Sequence, residues 1–397
     1  MNATRTFKQR LIELGILAAI LVVLVAVVVV SGIMPVSASG GHWAITDATL
    51  QFASKRSIQT NSLGIQVPPL DEPEMIRLGA ATYESNCAWC HGSPLQLHPV
   101  VPAAMTPSPP SLIDPGDKWE SRELFYIAKH GIMFTGMPAW PTQTRDDEIW
   151  PMVAFLQALG SMDAEQYAAL LYSKAAPETI ARGDQPSRGD QSTPSWMTSC
   201  VDCHGRDGRS VAGPRVPELQ QLSREYIAMT LQAMREGKRP SGIMQPIVSR
   251  LSAQQVTEIA EYFGARQTER TSELVGDDTP SDQQTREAEV DENGNSVATA
   301  DETFAAGLEL IQHGSARRKI AACIECHGRH RSIASYPSLI GQSATYMRTQ
   351  LELYADGSRQ GGEASLMHDI ADKLDEKERI QVSVAFSRFN ETLNKEQ

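Results

Sequence analysis

Three copies of Cys-x-x-Cys-His-Gly constrain this chain more than any other feature: CAWCHG at 87–92, CVDCHG at 200–205 and CIECHG at 323–328. They use all six cysteines and three of the nine histidines. A methionine follows each histidine after 40 to 46 residues: Met137, Met244 and Met367. A helix start signal then follows each methionine, at Thr144-x-x-Asp147, Ser252-x-x-Gln255 and Asp375-x-x-Glu378, where a capping side chain stands three residues before an acid or amide. Beyond each signal, apolar residues recur at i, i+3, i+4 and i+7, the spacing of one helix face. They are Ile149, Met152, Val153 and Leu156; Val256, Ile259, Ala260 and Phe263; and Val382, Ala385, Phe386 and Phe389. Opening helices are predicted at 73–86 and 301–314, and the corresponding helix of the middle copy is poorly marked. The chain therefore reads as three tandem helical units. The second and third match further: residues 217–244 align with 337–367 through Pro-x-Leu, a tyrosine, a helix leucine and Gly-x-Arg.

The divisions between units follow composition. We expect a cytoplasmic N-terminus and membrane anchor over 1–36, a loosely ordered spacer over 37–70, and a first domain over 71–172. A linker over 173–189 is rich in Pro, Gly, Ser and charge. A second domain over 190–265, an acidic disordered linker over 266–300 and a third domain over 301–392 complete the chain. Of the net charge of −12, −8 lies between 265 and 303, where 11 acidic residues face 3 basic ones. With almost no large apolar residues, that stretch cannot bury a core of its own. As a flexible tether it would let the third domain move between partners. The acidic balance excludes nucleic acid as a partner, since that class of protein needs a basic face.

Arg5, Lys8 and Arg10 precede the uncharged run LGILAAILVVLVAVVVV at 14–30. Seventeen helical residues span about 26 Å, and Ile33 and Met34 bring the apolar run near the ~20 residues of a bilayer span. The positive flank stays in the cytoplasm. The remainder is expected in the periplasm of a bacterium, on a single-pass anchor in the inner membrane. A cleaved signal peptide is the rival, with VSA at 36–38 as its processing site, although the run exceeds the usual apolar core of such a peptide.

Two cysteines three apart share one side of a helical turn. Both sulfurs can bond the vinyl groups of one haem, and the next residue, histidine, is brought under the iron. This is the c-type haem attachment pattern. A thioredoxin-like dithiol needs one such motif in a βαβ setting. A zinc site needs four ligands, which two cysteines and an adjacent histidine do not supply. Three covalently attached haem c groups are expected, held by Cys87, Cys90 and His91; Cys200, Cys203 and His204; and Cys323, Cys326 and His327.

Each unit resembles a class I cytochrome c: opening helix, Cys-x-x-Cys-His, loop, ligand methionine and closing helix. The resemblance covers nearly everything from 71 to 392 outside the linkers. The second and third units resemble the halves of the dihaem cytochrome c4 type. The first resembles single-haem domains through TGMPAW at 135–140 and DDEIWPMVAFLQ at 146–157. The resemblance implies an all-α fold of three class I domains after an N-terminal transmembrane helix. It implies proximal iron ligands His91, His204 and His327 and distal ligands Met137, Met244 and Met367. Met133 competes with Met137, and His368 beside Met367 opens a bis-histidine alternative. Tyr226 and Tyr346 are expected to fill the core rather than pack on haem. Pro151, inside the first closing helix, is expected to kink it unless the helix starts late.

With two protein ligands on each iron, no position remains for substrate, and no catalytic residues are expected. The expected function is single-electron transport in a respiratory chain, from a quinol-oxidising complex (quinol–cytochrome c reductase) to a terminal oxidase. The alternative is the electron-accepting subunit of a membrane dehydrogenase for alcohols, sugars or sugar acids.

Overall fold

The computed structural model describes residues 7–33, 37–96, 99–113, 119–171, 197–273, 300–328, 333, 335–360 and 364–389. Among these residues the chain is all-α: there is no β-strand, only isolated bridges at Ser93–Gln96 and Ser315–Ile320. Helix α1 (Phe7–Val30) contains an 18-residue window with a mean hydropathy of 3.1, and none of the helix is buried. At 1.5 Å per residue it is about 36 Å long, enough for the ~30 Å hydrocarbon core of a bilayer. Length and composition suit a membrane anchor and a signal sequence alike.

The spacer expectation needs correction. Residues Ala44–Asn61 form an 18-residue helix, α2. No Pro or Gly interrupts this stretch. Its one buried residue is Ile58, the helix packs against the helix Ser121–His130, and Lys55 lies over the Trp119 ring at 5.7 Å.

The first unit contains α3 (Pro73–Asn86), α4 (Ala88–His91), α5 (Val100–Ala103), α6 (Ser121–His130), α7 (Asp146–Leu159) and α8 (Ala164–Leu171). Helices α3 and α7 cross at Gly79, against the carbonyl of Pro151. Helix α7 continues through Pro151. Its N-cap is Arg145, not Thr144, and no side chain caps it. Thr144 instead pairs with Thr142. Asp146, Asp147 and Glu148 complement the positive end of the helix dipole, so the helix starts without a hydroxyl cap.

The second unit contains α9 (Thr198–His204), α10 (Arg224–Arg235), α11 (Met244–Val248) and α12 (Ala253–Glu273). Its opening segment lies outside the described residues. Ser252 and Gln255 form the reciprocal capping box at the start of α12. The helix extends to Glu273, past the expected end of the domain at 265, and residues 274–299 of the acidic stretch lie outside the described residues. The third unit contains α13 (Ala300–His313), α14 (Cys323–His327), α15 (Ala344–Ala355), α16 (Ala364–Asp372) and α17 (Glu376–Arg388). Asp375 and Glu378 form a capping box at α17. Helices α13 and α17 repeat the close crossing, with Gly307 against the carbonyl of Gln381.

The apolar stripes read from the sequence enter the cores. Ile149, Met152 and Val153 are buried, as are Val256, Ile259, Ala260 and Phe263 and then Val382, Ala385, Phe386 and Phe389; Leu156 is partly buried.

The second and third units are fastened together. The Gln342 amide pairs with the backbone of Glu218 in both directions, at 2.9 and 3.1 Å. Ser343 donates to the Pro214 carbonyl. Arg239 reaches the Tyr346 hydroxyl at 3.1 Å, and Arg359 reaches the Tyr226 hydroxyl at the same distance. Each arginine ends the Gly-x-Arg of its own unit and meets the tyrosine of the other. The rings of Tyr226 and Tyr346 join their cores, as expected, while the hydroxyls reach the seam.

Candidate haem-attachment sites

Each Cys-x-x-Cys-His closes a short helix: α4, α9 and α14. The glycine behind the first two histidines turns the chain away with positive φ, +74° at Gly92 and +69° at Gly205, which L side chains rarely adopt. In the first unit the buried Tyr83 hydroxyl donates to the Gly92 carbonyl at 2.6 Å, tying the opening helix to the motif.

All three histidines share one hydrogen bond. His91 Nδ1 lies 2.8 Å from the Pro110 carbonyl, His204 Nδ1 lies 3.1 Å from that of Pro217, and His327 Nδ1 lies 2.9 Å from that of Pro337. A carbonyl only accepts, so each Nδ1 carries the proton and each Nε2 carries the lone pair. This is the tautomer of an imidazole oriented to ligate a metal through Nε2. Burial pushes the pKa of His204 down to about 4, so its ring is neutral near pH 7.

The proline partners expose a signal passed over in the sequence. Pro-x-Leu was read only in the second and third units, yet Pro110-Ser111-Leu112 repeats it in the first. The recurring element is the proline carbonyl.

Burial pushes the Cys87 and Cys203 thiols up to about 12 and those of Cys200 and Cys323 up to about 11, and it raises Cys90 as well. A redox-active dithiol needs the opposite shift. No disulfide joins them. Among the described residues no three His, Cys, Asp or Glu side chains gather as a metal cluster. Paired neutral thiols on one turn, followed by an imidazole with its Nε2 lone pair directed by a fixed tautomer, fit the donor set of covalently bound haem c.

The methionines occupy different settings. Met137 is half-buried, and its amide is held by Thr135 Oγ1 at 3.1 Å, whereas Met133 is 80% exposed. Met244 begins α11 and packs against the second core, and Met367 packs against the third. His368 Nε2 donates to the Arg359 carbonyl at 2.8 Å, and its ring stands edge-on to Tyr354. Residues of all three units line one cleft of about 370 Å³, among them Thr142 and Thr144, Pro240 and Gln245, and Ser358 and Gln360.

Helical units built around this turn define a class, the c-type cytochromes. Comparison with known proteins agrees. Residues 74–156 match the family model described as cytochrome c oxidase, cbb3-type, subunit III. The thiosulfate dehydrogenase electron acceptor of Thiomonas intermedia is 32% identical over 180 residues, covering 45% of this chain and 72% of that protein. Cytochrome c4 of Pseudomonas aeruginosa is 30% identical over 189 residues, 46% of this chain and 80% of its own. A solved cytochrome c4 from Acidithiobacillus ferrooxidans covers 48% of this chain and 98% of its own, at 25% identity and a TM-score of 0.36. The chain belongs to the cytochrome c family and is an electron-transfer protein.

Proposed function

We propose that this chain is an exported, membrane-anchored trihaem cytochrome c that passes single electrons between redox proteins on the periplasmic side of the inner membrane. The observation that carries the reading is the same imidazole geometry three times over, with Nδ1 bound to a proline carbonyl beside a Cys-x-x-Cys turn. Cys87 and Cys90, Cys200 and Cys203, and Cys323 and Cys326 are the attachment points; His91, His204 and His327 are the proximal ligands. Bound haem supplies reversible one-electron chemistry between ferrous and ferric iron. The proline carbonyls fix each imidazole in plane and tautomer. Met137, Met244 and Met367 supply the distal sulfurs. His368 is engaged through Nε2 with Arg359, which supports Met367 over a second histidine. With a histidine and a methionine both holding the iron, haem bound at each site would keep no position for substrate and would serve electron transfer.

Haem c is quantified per chain on the full-length protein, in the wild type and in variants with both cysteines of one motif replaced by alanine. Three haems in the wild type and one fewer in each variant are expected. Fewer than three in the wild type overturns the trihaem reading.

For partners, the first reading is a carrier between a quinol-oxidising complex and a terminal oxidase. The second is the electron-accepting subunit of a membrane dehydrogenase; relatives named thiosulfate dehydrogenase electron acceptor, in Thiomonas intermedia and in Stutzerimonas stutzeri at 28% identity over 226 residues, support the acceptor role but not the expected alcohol, sugar or sugar-acid substrate. Purification of the tagged chain from membranes in mild detergent decides between them. A co-purifying oxidase or quinol–cytochrome c reductase favours the first and a dehydrogenase the second.

A further inference from the structure

The segment Pro240–Met244 of the second unit is held largely by the first unit. Arg145 Nη1 donates to the Pro240 carbonyl at 2.9 Å. The Glu148 carboxylate accepts from the Ser241 hydroxyl at 2.7 Å through Oε1 and from the Gly242 amide through Oε2. Arg145 completes the pairing at 2.9 Å, and Trp140 Nε1 approaches Oε2 at 3.4 Å. Gly242 abuts the Trp140 indole, where a Cβ would come within 1.8 Å of Nε1. Ile243 packs against a first-unit cluster that contains Phe125, Ile149 and Val153, and against a cluster shared by the two units, in which Leu78 and Ala81 meet Cys203, Ala212 and Val216. Glu148 is 5% exposed, so this carboxylate is spent inside the protein rather than in solvent.

The polarity of Ser241 gives the cluster its meaning. Its one hydroxyl proton goes to Glu148, so its oxygen faces the next donor as an acceptor. That donor is the backbone amide of Met244, at 3.1 Å. A continuous relay therefore runs from Glu148 on α7, through Ser241, to the residue read as the second unit's distal ligand. Trp140, three residues beyond Met137, touches the same carboxylate, so one buried group reaches both distal segments.

We infer that Glu148 is a positioning residue for Met244, and that the first unit completes the distal side of the second unit's site. This rests on the proposed ligand role of Met244. Glutamine cannot substitute silently. Both carboxylate oxygens accept from donors, and an amide nitrogen at the Oε1 position would face the Arg145 guanidinium.

The test uses the full-length, haem-loaded chain in the ferric state. Imidazole binds a methionine-ligated haem only after the sulfur leaves, so its binding rate reports how firmly the methionine segment is held. The rate is followed for each spectral component in the wild type, Ser241→Ala, Glu148→Gln and Met244→Ala. Met244→Ala identifies the component that belongs to this site by removing one sulfur-to-iron charge-transfer signal. We expect Ser241→Ala and Glu148→Gln each to speed imidazole binding about tenfold at that component, the factor for a lost hydrogen bond of about 1.4 kcal/mol, with the other two components unchanged. Ser241→Ala leaves every charge in place, so it remains informative if Glu148→Gln loosens the unit. Unchanged rates, or equal acceleration at all three components, overturn the positioning role while leaving Met244 as ligand. Retention of every sulfur signal in Met244→Ala overturns the ligand reading, and the inference with it.

Discussion

Replacing Gly79 by alanine sets two physical effects against each other. In a helix interior alanine is favoured over glycine by about 0.8–1.0 kcal/mol, so a helix considered alone predicts stabilisation. The structure predicts the reverse. A Cβ on Gly79 would lie 2.0 Å from the Pro151 carbonyl oxygen and 2.5 Å from Phe155 Cβ. To reach even 3.0 Å from that oxygen, α3 and α7 must part by about 1 Å. A backbone carbonyl cannot rotate aside as a flexible side chain does. Parting the helices also disturbs Tyr83 and Phe155, both fully buried, whose ring centroids lie 5.2 Å apart. Overpacking costs about 1–3 kcal/mol, and contact with main-chain atoms places this site at the upper end. After the propensity gain is subtracted, a net loss of about 2 kcal/mol remains. Urea unfolding of the haem-loaded chain, followed by haem absorbance, measures it. Gly160→Ala is the internal control: nothing lies within 4 Å of its Cβ position and φ is −64°, so alanine should stabilise by about 0.4–1 kcal/mol. If Gly79→Ala matches that control, the crossing is looser than described and the reasoning fails. Gly307→Ala, 2.0 Å from the Gln381 carbonyl oxygen, should repeat the loss in the third unit.

Other outcomes follow from the same contacts. Met367→Ala should abolish the sulfur-to-iron charge-transfer signal of one haem while His368→Ala preserves it; the opposite pattern would make histidine the third distal ligand. At the seam, burial pushes the Tyr226 phenol up, but the Arg239 and Arg359 guanidinium groups outweigh it and bring the pKa down to about 7 from 10.0. A lowered folded pKa contributes stability that is complete above 10 and is lost as pH falls through 7. The seam should therefore strengthen from pH 7 to 10, and Arg359→Met should move the phenolate absorbance titration upward; a titration unchanged by that substitution contradicts the pairing. Glu378 is held below the usual carboxylate range by its hydrogen bonds to Arg318 and then by the Asp375 amide, against the opposing effect of burial. Its contribution should persist above the unfolded carboxylate pKa and disappear as pH falls through the lower folded value, with amide exchange at the start of α17 rising first. Equal protection there at neutral and acid pH would refute it.

What the sequence revealed, it revealed through period and chemistry. The apolar stripe of Val256, Ile259, Ala260 and Phe263 could be read because a helix buries one face, and Cys-x-x-Cys-His because few chemistries use that spacing. Thr144 misled as a cap because capping depends on one residue of backbone register, which the acidic run at 146–148 shifted without altering the motif. Helix α2 was missed because its stripe is almost absent: one buried residue in eighteen gives no period to detect. The repeated Pro-x-Leu marks where the histidine partners stand, but residue type does not show that the contact is a main-chain oxygen. Glu148 looked like one more acidic residue in a helical first turn; only the fold carries it to Ser241, 93 positions away.

The seams also bear on how the three units work together. A third domain swinging on an acidic tether was a fair reading of composition, but tethering and mobility are separate properties. Two domains joined by a short flexible tether meet at an effective concentration near the millimolar range. An interface worth only about 4 kcal/mol, the equivalent of a millimolar dissociation constant, is therefore already half closed. The seam offers two hydrogen bonds from guanidinium groups, a class worth about 1.5–3 kcal/mol each. It adds the two-way pairing of the buried Gln342 with Glu218 and the bond from Ser343 to Pro214. Each further 1.4 kcal/mol beyond the threshold closes it tenfold more. On that balance the second and third units stay docked, because their joining in one chain makes docking intramolecular. In the proposed trihaem reading, electron exchange among the sites then depends on fixed packing at the seams, where Glu148 and the paired Arg–Tyr contacts lie.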